Sequence, residues 1–251
     1  MTDDTPSPNR GMWKVFGVDY WSAAPATWGQ PVQQGVGMIA GDMSGVRQAA
    51  PVGASAPLLL REALTETAER FPHVRVVRDY ALLRQIGRIR HQQYVANQGK
   101  AYGSMVLDRD CLIEPSDFTA VNIYARDSQG ITCAMRIGEV GDDDHPYRAL
   151  FETAARRFDV PLDSALTCTR LVRAPRHSGR HAVDLIRFVR WQTVHAGWRF
   201  CIMQTAAKLV PFFTRFEFFE TGLWSDDPAA GRLQVLILDT RMQPVQPAGG
   251  P

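Results

Sequence analysis

Residues 165–180, ALTCTRLVRAPRHSGR, constrain this chain more than any other stretch. Leu166, Cys168, Leu171 and Val172 read as a buried strand and Pro175 as a short turn. Arg176-His177-Ser178-Gly179-Arg180-His181 then leads into an amphipathic helix from Ala182. The first backbone N–H groups of a helix have no internal acceptor, and together with the helix dipole they suit a phosphate or pyrophosphate. Arg176 and Arg180 add guanidinium groups that pair with phosphate oxygens. The alternative at this point is an ordinary strand-to-helix turn with a solvated basic rim.

Charge is distributed unevenly. The formal net charge is only +2 over 251 residues, yet Arg170 to Arg199 holds seven arginines, no lysine and one acid, Asp184. Such a field steers an acidic or phosphorylated ligand to this end of the fold, while Arg187 and Arg190 read as a solvated helix face. The basic residues lack interleaved aromatics, which argues against nucleic acid as a partner. Cys111, Cys133, Cys168 and Cys201 have no metal-motif spacing and read as small core residues of a reducing compartment. No metal site is expected. The sequence opens without a basic leader before an apolar stretch, and no apolar run is long enough for a membrane span, so a cytoplasmic location is expected.

Three segments are predicted: a loosely structured N-terminal arm over 1–56, a folded domain over 57–240, and a flexible tail over 241–251. Within the domain, Pro57 to Arg70 reads as a helix, Val74 to Val77 as a short strand and Tyr80 to Val95 as a helix. Asn97 to Asp117 reads as a polar loop. Phe118 to Ala125 and Ile131 to Ile137 read as a hairpin turning at Asp127 to Gly130. Tyr147 to Phe158 reads as a helix, followed by the fourth strand at Leu166, the basic turn and the helix from Ala182. Phe200 to Gln204, Phe218 to Glu220 and Leu233 to Leu238 read as strands, with a short helix at Ala207 to Phe216. This order gives an α/β (α+β) fold with a mixed sheet and helices on both faces.

The succession of elements, with a basic glycine turn after the fourth strand, resembles the GCN5-related N-acetyltransferase (GNAT) superfamily. That family binds an acyl donor at Arg/Gln-x-x-Gly-x-Gly/Ala, which here reads Arg176-x-x-Gly179-x-His181. The first half is similar to the acyl-homoserine lactone synthase and long-chain N-acyl amino acid synthase branch. Arg90-His-Gln-Gln-Tyr94 matches its Arg-x-x-x-Phe/Tyr, and Arg136-Ile137 matches an Arg-Leu pair on the third strand. Thr169-Arg170-Leu171 matches Ser-Arg-Phe/Leu on the fourth, and Asp108, Asp110, Glu114 and Asp117 stand where the branch carries loop acids. Where the lactone synthases have Glu, this chain has Thr167.

The resemblance implies a mostly antiparallel sheet splayed at the fourth strand, and an acyl transfer from a thioester to a small amine, with an amino acid as the expected acceptor. It implies no permanently bound cofactor; acyl-CoA or an acyl carrier protein is the donor, and the carrier protein a candidate partner. Leu171, Val172, Arg173, Arg176, Ser178, Gly179, Arg180 and His181 are the expected donor-binding residues. Main-chain N–H groups near Leu171 to Arg173 would polarise the thioester carbonyl. Arg90, Tyr94, Arg136 and Arg170 are the expected acceptor-side residues. Asp108, Asp110 and Glu139 are the expected bases, with Glu114 beside them. Arginines in strands are rarely buried alone, so Arg136 and Arg170 hold either a substrate carboxylate or the loop acids. Phe212-Phe213 stands where the family often places a thiol-protonating Tyr. An acetyl-CoA-dependent N-acetyltransferase and a catalytically degenerate acyl-thioester-binding protein are the alternatives.

Overall fold

The computed structural model describes residues 70–100, 102, 106–108, 110–140, 147–175, 177–195 and 198–242. The predicted N-terminal arm, the helix at Pro57 and nearly all of the C-terminal tail lie outside the described residues.

A seven-stranded sheet runs in the order β1-β4-β5-β6-β7-β9-β8. Its members are β1 (Val74–Val76), β4 (Val121–Asp127), β5 (Gly130–Glu139), β6 (Ala165–Arg173), β7 (Phe200–Thr205), β8 (Phe219–Asp227) and β9 (Gly231–Asp239). Every neighbouring pair is antiparallel except β6 and β7. Parallel neighbours need a crossover, and α4 (Arg180–His195) supplies it. Further helices flank the sheet, among them α1 (Tyr80–Arg90), a short α2 (Ser116–Thr119) and α3 (Arg148–Arg157).

Period-two alternation along each strand sorts the core into two layers. Cys133, Met135, Ile137, Leu166, Cys201 and Leu236 face α4, whose Ala182, Ile186 and Val189 meet them. On the other face, Tyr124, Ala134 and Val172 meet Leu83 and Ile86 of α1. Farther along, Ala165, Phe200, Ile202 and Ile237 meet Phe151 and Ala154 of α3. A fully buried Leu, Ile or Phe contributes roughly 1.5–3 kcal/mol, so both layers anchor the sheet. α1 starts where Asp79 accepts a hydrogen bond from the Leu82 amide. Its Gly87 lies against Cys111, Leu112 and Ile113, where a Cβ would fall on Cys111 Sγ and 2.9 Å from Ile113 Cγ1.

The structure corrects several boundaries. The expected loop from Asn97 to Asp117 carries a small hairpin, β2 (Val106–Asp108) and β3 (Cys111–Leu112). The strand expected from Phe118 starts at Val121, because Ser116 to Thr119 coil into α2 behind Pro115. α1 passes into a π-helical turn, His91–Ala96, which carries Tyr94. The late helix is a 3-10 turn (Ala207–Leu209), one α turn (Val210–Phe213) and a second 3-10 turn (Thr214–Phe216).

Candidate active site

The site begins with one extra residue in β6. Against β5, Ala134 pairs with Val172 and Arg136 with Thr169, so three steps along β6 match two along β5. The surplus is taken up at Arg170, whose φ of 56° is left-handed. A non-glycine residue there costs on the order of 1–3 kcal/mol and persists only where its surroundings hold it. Bulges re-aim side chains. Here Thr169 and Arg170 both turn toward the α1 face, Leu171 packs on the α4 side and Val172 returns to α1.

β6 also parts from β7 at this point. The strands pair from Ala165↔Phe200 to Cys168↔Met203, after which Gln204 and Thr205 pair only with β9. The main chain of residues 170–173 therefore has no ladder partner in β7. The expected splay at the fourth strand of the main sheet is present, and Tyr94 donates its hydroxyl to Leu171 O at 2.7 Å on its margin.

Behind the splay lies a buried charge network. Arg90 makes two 2.8 Å bonds to the Asp117 carboxylate and one of 2.9 Å to Asn122. Arg136 donates to Glu114 at 3.0 Å and to Thr169 at 3.0 Å. Arg170 grips Glu114 through Nε and Nη2, both at 2.5 Å, and donates to the Tyr102 hydroxyl at 2.8 Å. The Glu114 amide caps Asp117. Burial pushes the Glu114 carboxyl up, but hydrogen bonds from Arg170 and the charges of Arg136 and Arg90 overcome it and hold it at about 2. Burial likewise acts against ionised Asp117, and Arg90 and Arg136 bring it below its ordinary value. Burial pulls Arg136 down, whereas Glu114 outweighs burial at Arg170 and raises it.

Of the two alternatives for Arg136 and Arg170, the structure selects the loop acids for both. The binding forks of Arg90, Arg136 and Arg170 are occupied within the fold. Three guanidiniums face two carboxylates, so the network carries one positive charge in excess, and Arg90 Nε is buried without a partner. Opposite-charge contacts of this kind fix geometry more than they add stability.

The expected bases are scattered. Asp110 pairs with Arg88 at 3.3 Å on the surface, with both side chains more than half exposed. Glu139 stands three residues along β5 from Arg136, so alternation puts it on the opposite face of the sheet. The Asp108 backbone lies in β2, and its side chain is outside the described residues. Four side chains missed by sequence reading stand at the opening instead: Lys100, Tyr102, Tyr147 and Asp227. Lys100 Nζ lies 4.9 Å from the centre of the Tyr94 ring. Tyr147 donates its hydroxyl to Asp227, whose other oxygen accepts from the amides of Ala229 and Ala230. They come from separate segments with no shared period; the aromatic-flanked Tyr94…Lys100-Ala-Tyr102 stretch was the only signal in the sequence.

On the α4 side, Arg176 lies outside the described residues. Gly179 is buried at the helix start, its carbonyl accepting from the Ala182 and Val183 amides at 3.1 and 3.3 Å, while Ser178 and Arg180 are exposed. Arg173 donates to His177 O at 2.6 Å, bracing the turn. His181 points elsewhere: its Nδ1 lies 2.8 Å from the Thr132 hydroxyl, and its ring stacks on His73 at 5.2 Å. Its bulk therefore sits against the sheet. Phe212 and Phe213 are buried in the core, so the late helix offers no phenol. No helix among the described residues is long and apolar enough to cross a membrane.

No family model and no curated protein matches the chain. Solved structures do. An N-acyl amino acid synthase, FeeM, from uncultured soil microbes superposes with a TM-score of 0.52 at 13% identity, covering 67% of this chain and 91% of its own. The acyl-homoserine lactone synthase LasI gives 0.53 at 12% identity over 66% and 89%. The CoA-dependent acyl-homoserine lactone synthase BjaI, solved with S-adenosylmethionine and isopentyl-CoA, gives 0.50 at 14% over 64% and 78%. The splayed sheet, the single parallel pair and these superpositions agree: this chain has the GNAT-like fold in the form shared by the acyl-homoserine lactone and N-acyl amino acid synthases.

Proposed function

We propose that this chain is an N-acyltransferase that joins the acyl group of a thioester donor to the amine of an amino acid. The observation that carries the reading is the β6–β7 splay, with a buried cationic network on one side and a glycine turn at a helix start on the other. The acyl thioester enters from the α4 side, its phosphate resting on the amides and guanidiniums of residues 176–181. Its carbonyl lies along the unpaired main chain of residues 171–173, whose N–H groups stabilise the oxyanion that forms as the amine attacks. The new C–N bond forms, the C–S bond breaks, and the ammonium proton leaves to water as the thiolate is protonated from solvent. Arg90, Arg136 and Arg170 frame the acceptor side, where their excess charge disfavours an ammonium and favours the neutral, nucleophilic amine.

Either acyl-CoA or acyl carrier protein supplies the thioester. The His181 ring, which departs from the family's pattern at this turn, is held on the Thr132 hydroxyl. The test offers purified protein acyl-CoA and acyl carrier protein thioesters of graded length, each with the twenty amino acids, and reads products by mass spectrometry. N-acyl amino acids are expected. Acetylation of amines from acetyl-CoA alone would replace this reading with that of a general acetyltransferase, and no product from any donor would reject it.

A further inference from the structure

Two charged side chains at the opening have no oppositely charged partner among the described residues. Lys100 is half-buried, and its ammonium meets the Tyr94 ring at 4.9 Å, with no carboxylate of the described residues in salt-bridge range. Asp227 is 6% exposed, and the groups bonded to it are all neutral: the Tyr147 hydroxyl and two main-chain amides. Of the other charges nearby, Glu114 and Asp117 are enclosed by arginines, Arg170 is committed to Glu114 and Tyr102, and Lys208, whose charge also reaches Lys100, stands exposed to solvent.

Lys100 and Asp227 lie in one neighbourhood with no ion pair between them: Ala229, two residues past Asp227, packs against the cluster that holds Tyr94 and Tyr102. The charge of Asp227 acts on both Lys100 and Tyr102, and that of Arg170 acts on Tyr147. Opposite charges in a poorly hydrated site attract strongly, yet the two form no ion pair with each other. Lys100 is pinned by hydrogen bonds from its amide to Tyr94 O and from the Tyr102 amide to its carbonyl. Asp227 is pinned by the β8–β9 turn and by Tyr147. The Tyr94 hydroxyl under the lysine stem bonds Leu171 O, so Lys100 stands one side chain from the splayed strand.

We propose that Lys100 and Asp227 are the two poles of the acceptor pocket, Lys100 taking the carboxylate and Asp227 the amine of a free α-amino acid. The inference rests on the acyl-transfer reading above and adds the residues that choose the acceptor. A zwitterion supplies each pole with the counter-charge it lacks, and its ammonium, disfavoured by the excess positive charge of the arginine network, gives a proton to water before the amine attacks. Burial pulls the Lys100 ammonium down to about 8, helped by the charge of Arg170, so an anionic ligand relieves a poorly solvated cation. Burial and the bond to Asp227 push the Tyr147 phenol up, keeping it a donor that aims the carboxylate.

The test measures binding without any acyl donor. Thermal-shift titration of the full chain with each of the twenty amino acids is expected to find at least one that raises Tm by about 2 °C or more at saturation. Its carboxamide and its decarboxylated amine are expected to bind about 10–100-fold more weakly, the loss that follows from one charge-assisted contact. Lys100→Met keeps the stem over Tyr94 and removes the charge; it is expected to bind amino acid and carboxamide alike, and Lys100→Arg to restore the preference. Asp227→Asn is expected to weaken amino acid binding about tenfold, and Tyr147→Phe to weaken it less while leaving the turn intact. No shift with any amino acid, or a carboxylate preference that survives Lys100→Met, overturns the proposal. Binding that follows this pattern without turnover on any donor would reject the acyl-transfer reading alone, and equal turnover of carboxyl-free amines would reject the pocket alone.

Discussion

Replacing Glu114 with Gln tests the buried network most directly. The side chain is 2% exposed and receives hydrogen bonds from Arg136 and Arg170. Gln keeps the shape and one acceptor but leaves three guanidiniums facing a single carboxylate. Removing one partner of a buried pair costs roughly 3–5 kcal/mol. Proton linkage gives a second figure: a carboxyl held at about 2 against an ordinary 4.5 contributes about 3 kcal/mol at 1.36 kcal/mol per tenfold in proton affinity. The two agree, and for a domain of this size about 3 kcal/mol lowers Tm by roughly 6–12 °C. Because the folded-state value is depressed, this stability is fully present above pH 4.5 and is lost as pH falls toward 2. Thermal melts of wild type and Glu114→Gln from pH 7 to pH 2, followed by circular dichroism, should therefore converge in acid. A variant that melts within about 2 °C of wild type at pH 7, or a gap that ignores pH, refutes the assignment of Glu114 as the ionised centre of the network.

Other outcomes follow from separate parts of the fold. Arg180→Ala should raise the donor KM by about tenfold or more while leaving Tm unchanged, since loss of one charge-assisted contact costs about 1.5–3 kcal/mol; an unchanged KM removes Arg180 from the donor site. Gly87→Ala should destabilise by about 1–3 kcal/mol in urea unfolding, because the added methyl meets Cys111 and Ile113; a gain in stability, as helix propensity alone would give, refutes that close approach. A chain starting near Pro57 should stay soluble and unfold in one cooperative step, and molten or insoluble material would place the N-terminal tryptophans in the core.

The sequence displayed the sheet well and the site unevenly. Strands such as 165–173 and 200–205 are apolar runs bounded by turns, and the helix of 180–195 carries a clear stripe of Ala182, Ile186 and Val189. Those signals are local, and they placed the strands and the glycine turn before α4; the splay was expected only from the family resemblance. The pairing of Arg136 and Arg170 with Glu114 was legible only as one of two alternatives, because partner choice depends on which face a side chain takes. For Arg170 that face is decided by a bulge with no glycine to mark it. The hairpin of residues 106–112 escaped because its strands are three and two residues long, too short to show alternation. Lys100, Tyr147 and Asp227 meet only through tertiary folding, and nothing in the spacing of three distant segments announces it.

The surplus residue at Arg170 has a consequence for how this chain can vary. A strand read in steps of two behaves like a reading frame, and an insertion shifts everything downstream of it unless a bulge absorbs the extra residue. Deleting the residue at 170 would put β6 back in step with β5, with Thr169, Leu171 and Val172 in plain alternation, and would remove the guanidinium from Glu114. Leu171 would keep its place on the α4 core and Val172 on the α1 core, so the apolar layers would survive while the bulge and the third arginine of the network were lost together. Opening the strand and assembling the charge network are thus one structural event. A relative of this chain can lose the position and keep both apolar layers of the sheet, but with it go the bulge and the guanidinium on Glu114.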